Sequence, residues 1–252
     1  MKSNPSGVEK SSHNNYDYVV RNIFAPTLRK TIDIGIIDGK FVRIGENIPG
    51  KGAVEFNGIG FLATPPFIDS HAHLDKAFYN PSPNISGTLG EALKIFSTMD
   101  GKNFEKSFIP RVERALYLAL KNGTLFIRTH MDICNQLSLN LLEILNDIRK
   151  RWENIIDIQV VAFPQNGFIN TKDTIQLMQR AMRMGADIVG GIPALEKTPR
   201  DSLSHIVILY DLATEFNRDI DMHIDETDDA NSRTLEMLAD VAFRYKWEGR
   251  VA

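Results

Sequence analysis

Cysteine occurs once, at Cys134, in 252 residues. That excludes an internal disulfide framework and a multi-cysteine zinc site. The lone thiol reads as inert and partly buried. A basic excess is missing too: 29 Lys and Arg face 32 Asp and Glu, a formal net charge of −3. Such a surface does not neutralise a phosphate backbone, so no nucleic-acid partner is expected. No apolar run approaches the ~18 residues of a membrane span, so no membrane partner is expected. The opening MKSNPSGVEKSSHNNY has no apolar core. It does not read as a secretory leader, and the expected compartment is cytoplasmic. Also missing is a G-x-G-x-x-G turn after a strand, which an open dinucleotide-binding sheet would want.

What is present divides the chain in three. Residues 1–16 are polar and rich in Ser and Asn, and read as a disordered tail. Residues 17–66 read as a small β unit, part of a β-sandwich. Within it Asp38-Gly39 separates two apolar runs, a strong hairpin signal. A second turn is expected at Asn57-Gly58, before Ile59-Gly60-Phe61-Leu62. From residue 67 to 252 apolar strand-like runs alternate with amphipathic helices. Strands are expected at 67–71, 124–130, 156–163, 186–190 and 219–224, with a sixth starting at 249–252. Pro110 is expected to open a helix that Gly123 ends, with Val112, Ala115, Leu116 and Ala119 on one face. Another helix carries Leu235, Leu238, Ala239 and Ala242 at the same spacing. Successive βα pairs imply parallel strands with right-handed crossovers, an α/β fold.

The polar residues fall at or just past strand C-termini: His71 and His73, His130 and Asp132, Gln165, Glu196, and His223 to Glu226. That is the catalytic face of a (β/α)8 TIM barrel, here incomplete with about five strands.

Asp69-Ser70-His71-Ala72-His73 is the most informative segment. Strand side chains alternate faces, so His71 and His73 point the same way and can hold one metal ion. Taken alone, the pair has an alternative reading as two core or surface histidines. His223 ends an apolar strand at the same level and supplies a third nitrogen. Glu226, three residues on, can carry a proton from water to a leaving group. Alternatively, Asp225, Glu226, Asp228 and Asp229 form a solvated acidic loop that caps the next helix. Gln165, after Phe163-Pro164, has a donor and an acceptor for an amide-like ring edge; it could equally stabilise a turn. His130 shares a strand face with Arg128 and Asp132 and reads as a supporting histidine rather than a metal ligand. Strand four ends Val189-Gly190-Gly191-Ile192-Pro193 without a metal-bridging lysine, and Lys197 reads as a solvated loop charge. A single-metal site is favoured.

These segments, with Val160-Val161-Ala162-Phe163-Pro164-Gln165 and His223-Ile224-Asp225-Glu226-Thr227-Asp228-Asp229, resemble the amidohydrolase superfamily and, within it, the cytosine deaminase group. The resemblance runs in family order from about Tyr18 to the last residue. It implies a metal-dependent hydrolase barrel with His71, His73 and His223 on one Fe or Zn ion, Glu226 as proton shuttle and Gln165 on the substrate ring. The implied reaction is hydrolysis of a C–N bond in a cytosine-like cyclic amidine, a small heterocyclic substrate. The family has a further catalytic histidine and a metal-binding aspartate at places beyond Ala252. On that basis these 252 residues read as the N-terminal part of such a deaminase, inactive alone; the alternatives are a truncated, catalytically inactive product or an N-terminal subunit that needs a second chain to complete the barrel. A second copy or a complementing C-terminal chain is the expected protein partner.

Overall fold

The structure is a computed structural model and describes residues 15–79, 82–97, 101–169 and 171–252. The expected tail lies outside these residues up to position 14. Asn15 and Tyr16 already belong to the first strand, where Tyr16 packs with Val19 and Ile48. The chain forms two compact units, Met1–Pro65 and Pro66–Ala252.

The first unit is one sheet of β1 (Asn15–Ala25), β2 (Lys30–Ile37), β3 (Lys40–Gly45) and β4 (Lys51–Asn57), in the order β3-β2-β1-β4. The pairs β1–β2 and β2–β3 are antiparallel, while β4 runs parallel to β1. The Asp38-Gly39 loop has φ of 50° and 70°. A two-residue type I′ turn needs positive φ at both places, which Gly adopts freely and Asp tolerates. Ile59-Gly60-Phe61-Leu62 does not continue as a strand. The Phe61 N–H donates to the Gly58 carbonyl at 2.9 Å, which closes a turn, and only Leu62 bridges to Phe24. Among the described residues this unit has a single layer, with Phe41, Ile44, Val54 and Phe56 exposed.

The second unit is built on five parallel strands: β5 (Phe67–Ala72), β6 (Thr124–Asp132), β7 (Asp157–Phe163), β8 (Ile188–Gly191) and β9 (Ile220–Met222). Their order is β5-β6-β7-β8-β9. Helices α1 (Leu89–Ser97) and α2 (Gly101–Lys121) precede β6. Then α3 (Gln136–Trp152), α4 (Thr174–Arg183) and α5 (Pro199–Phe216) fill successive crossovers, and α6 (Thr234–Tyr245) follows β9. Consecutive strand order with no reversal is that of a barrel; an open doubly wound sheet would switch direction. A sixth strand begins as one bridge, Ile220 to Val251.

The sheet is curled. From β5 to β9 is four strand steps, roughly 19 Å if the sheet were flat. Yet His73 Nε2, just after β5, lies 3.3 Å from His223 Nε2, just after β9. The central strand β7 is buried on both faces through Ile158, Val160, Val161, Ala162 and Phe163, as parallel strands covered by helices are. By contrast, β5 leaves Phe67 and Ile68 exposed.

Two helix expectations need correction. Pro110 lies inside the 21-residue α2 rather than at its start. Proline removes one backbone donor and strands the carbonyl of residue 106. Both Pro110 and Lys106 are exposed, so water can serve that carbonyl, while Phe104 and Phe108 on the buried side anchor the preceding turns. In α6, Leu235 and Ala239 are exposed, and the inward stripe is Thr234, Leu238 and Val241. That i, i+4, i+7 set is the helical face that meets the core.

Candidate metal centre

The alternation of β5 aims His71 and His73 to one side, and the curl brings His223 across to meet them. The His223 N–H donates to the Gly191 carbonyl at 2.8 Å, extending the β8–β9 ladder by one residue. On the other side the Leu74 N–H donates to Thr129 Oγ1 at 2.9 Å and pins the chain after His73. Ring centroids of His71 and His223 are 4.7 Å apart, and those of His73 and His223 are 5.3 Å apart. One ligand atom from each of the three histidines lies within 4.8 Å of the others.

Burial first, then the neighbouring Lys76 charge, pushes His73 down to about 2. Burial, then His130, lowers His223 to about 4. His71 is lowered by the same two causes, with the Asp221 and Glu226 charges partly offsetting them. All three rings are therefore neutral near pH 7, the state in which imidazole offers a lone pair. Glu226 is half-buried on the loop after β9, close enough for its charge to act on His71. Asp225 takes a separate part: it accepts from Ser232 Oγ at 2.5 Å, Thr234 N at 2.8 Å and Thr234 Oγ1 at 2.7 Å, and so caps α6. Of the two readings of the acidic loop, capping describes Asp225, whereas the Glu226 charge acts on His71. Asp228 and Asp229 are exposed.

No family model matches the chain. It is 27% identical over 248 residues to an N-isopropylammelide isopropyl amidohydrolase of Pseudomonas sp. (strain ADP), covering 94% of this chain and 60% of that protein. It is 27% identical over 192 residues to a pterin deaminase of Rhizobium rhizogenes, covering 75% of this chain and 43% of that protein. Its fold matches 5-methylcytosine deaminase from Klebsiella pneumoniae with a TM-score of 0.81 and 32% identity, over 92% of this chain and 58% of that one. The chain is similar to the cytosine deaminase-like amidohydrolases. It spans 60% or less of the length of these relatives.

The histidines of this amidohydrolase-like unit fit a divalent ion on their own geometry. Two nitrogens each ~2.0–2.1 Å from a tetrahedral ion stand about 3.3–3.4 Å apart, and the His73 and His223 Nε2 atoms are 3.3 Å apart. Two neutral imidazoles facing at that distance share at most one proton, so a cation between them satisfies both lone pairs.

His130 is fully buried beside the cluster, its ring centroid 4.4 Å from that of His71. Its Nε2 is 3.3 Å from Asp221 Oδ1, and Arg128 Nη1 donates to Asp221 Oδ2 at 2.7 Å. His71, His130 and Asp221 make a second overlapping donor group. Asp221 is not among the site candidates that the sequence offers. Its signal was parity: two residues before His223, it shares that residue's face. Gln165 is held by Lys76, whose Nζ donates to Gln165 Oε1 at 2.7 Å and to Asp132 Oδ1 at 2.8 Å. Burial works against the Lys76 charge, but Asp75 and Asp132 raise its pKa overall. Burial, then Asp75, pushes Asp132 upward against the pull of Lys76. Lys76, Asp132 and Gln165 line a cavity of about 680 Å³.

Glu196 stands at a strand end but turns away from the histidine cluster to the buried His205 on α5, 2.8 Å from its Nδ1. At the end of β8 a Cβ on Gly191 would collide with the side chains of Leu209 and His205. Lys197 is exposed, and burial pushes the Cys134 thiol up to about 12.

Proposed function

We propose that this chain carries the metal-binding, proton-transfer and ring-contacting residues of a hydrolytic deaminase that acts on a cytosine-like cyclic amidine. The observation that carries this reading is the convergence of His71, His73 and His223 from the two ends of the curled sheet, with Glu226 on the adjoining loop. The three histidines hold one divalent ion, Fe or Zn. When bound, that ion supplies Lewis acidity and makes water nucleophilic near neutral pH. The relatives' names support a heterocyclic substrate, since they include deaminases of 5-methylcytosine and pterin.

The residues divide the work. Gln165 and the cavity beside it hold the ring. The Glu226 carboxylate takes a proton from the attacking water as the new C–O bond forms at the amino-bearing carbon. It then returns that proton to the amino nitrogen, so the C–N bond breaks with neutral ammonia as the leaving group.

The test is ammonia release from cytosine by the zinc-loaded product of the whole reading frame that carries these residues. Glu226→Gln is expected to keep its metal and to lose about 10²–10⁴-fold in turnover. Full turnover in that variant, or loss of its metal, would show that the roles are misassigned.

A further inference from the structure

We propose that Lys76 is a positioning residue: it locks the amide of Gln165 with its NH2 group free, so that the site takes rings presenting a hydrogen-bond acceptor to Gln165. This rests on the deaminase reading and names the ring edge that reading left open.

A primary amide has two ends, an acceptor and a double donor, and a half-turn about its last bond exchanges them. An ammonium group donates and cannot accept. With Lys76 Nζ 2.7 Å from Oε1, flipping the amide would set NH2 against NH3+ and forfeit a charge-assisted hydrogen bond. The orientation is therefore fixed by chemistry.

Lys76 itself has little freedom. Its Nζ is tied to Asp132 Oδ1, and the Asp132 N–H donates to the buried Asp75 Oδ2 at 3.2 Å. The ammonium also sits 6.0 Å from the centroid of the Phe163 ring, which is 4.4 Å from the His223 ring. That chain of contacts places Lys76 and Gln165 beside the candidate metal centre. The backbone of Gln165 is held as well, its N–H donating to the Phe163 carbonyl at 3.1 Å, and the Gly167 N–H to Pro164 at 2.8 Å. The amide flip is the freedom left to Gln165, and Lys76 removes it. Lys76 takes one lone pair of Oε1 and fixes Nε2 as the donor end that a ligand meets in the 680 Å³ cavity that Gln165 lines. A carbonyl oxygen or bare ring nitrogen satisfies it, whereas an amino group or ring N–H leaves two donors face to face, a cost that discriminates strongly in a buried site.

Two rings separate these cases: cytosine, with a carbonyl at C2, and 2,4-diaminopyrimidine, with an amino group there. Binding of each is measured by calorimetry on the zinc-loaded gene product in the Glu226→Gln background, so that neither ring is consumed, in alkaline buffer where both are neutral. Cytosine is expected to bind at least ~10-fold more tightly. Lys76→Met frees the amide to flip, and the preference is expected to fall to within about twofold. Lys76→Arg keeps a cationic donor and restores it, which a merely structural lysine would not require. Gln165→Glu presents only acceptors and is expected to favour the diamine. An unchanged preference in Lys76→Met, or a wild-type preference for the diamine, overturns the proposal while leaving the deaminase reading intact. Failure of both rings to bind overturns the deaminase reading and this one with it.

Discussion

Glu196 Oε1 gathers three donors: the Phe168 N–H at 2.7 Å, the Ile169 N–H at 3.2 Å and His205 Nδ1 at 2.8 Å. His205 Nε2 accepts the Ile192 N–H at 3.2 Å, so Nδ1 carries the proton and the ring is neutral. Burial opposes the Glu196 charge, but the His205 and backbone hydrogen bonds hold its pKa below the ordinary value. A depressed carboxylate contributes stability that is fully present above about pH 4.3 and lost as pH falls through the folded value. Burial lowers His205 as well, which favours the unfolded chain once pH drops below about 6.5. Both slopes have the same sign. Glu196→Ala, which strands three donors, is expected to cost about 3 kcal/mol at pH 7 in urea unfolding. Glu196→Gln keeps the oxygen, costs about 1 kcal/mol and flattens the acid limb. An acid limb unchanged in Glu196→Gln would place the titration elsewhere. At this scale the sequence was informative where a residue's role depends on its own strand. His71 and His73 follow from alternation, and Asp38-Gly39 follows from turn chemistry. Glu196 was misread because its partner is nine residues on, across a helix start, and no local pattern announces a buried pair.

At the scale of elements, Pro110 shows what local signals miss. Proline usually marks a first turn, and that rule placed the start of α2 at least nine residues late. Among the described residues the helix is already formed at Gly101, and Phe104 and Phe108 join Val112 and Leu116 in one buried stripe. Burying two phenylalanines outweighs one lost hydrogen bond on the wet side. Pro110→Ala restores that bond and is expected to stabilise the protein by about 1–3 kcal/mol, raising the urea midpoint at constant slope. A lower midpoint would mean that α2 is kinked to fit proline. The strands were more legible. For the five strands of the second unit, expected and observed ends differ by two residues or fewer, because each is bounded by Gly, Pro or a polar turn; β1 and β4 of the first unit were not anticipated. β9 is shorter than its apolar run since Ile224 already belongs to the loop that Asp225 ties to α6.

For the molecule as a whole, curling the sheet turns separate motifs into one site. Strand order alone puts β6 and β9 three steps apart, yet Arg128 and Asp221 form a 2.7 Å ion pair. The Lys76–Gln165 contact spans 89 positions in sequence. Such pairs depend on curvature and on where each side chain ends, and a one-dimensional pattern carries neither. The histidine triad was legible because strand-end position is a property of each segment by itself. The decisive measurement is a cobalt(II) titration of the metal-free gene product at pH 7, followed by visible absorption and by metal content after gel filtration. Three neutral histidines converging on one ion predict saturable uptake at the triad. His71→Ala, His73→Ala and His223→Ala should each weaken it by at least ~10-fold, and Glu226→Gln should leave it intact. Uptake that survives all three histidine substitutions unchanged, or no saturable uptake at all, would contradict a metal centre at this site.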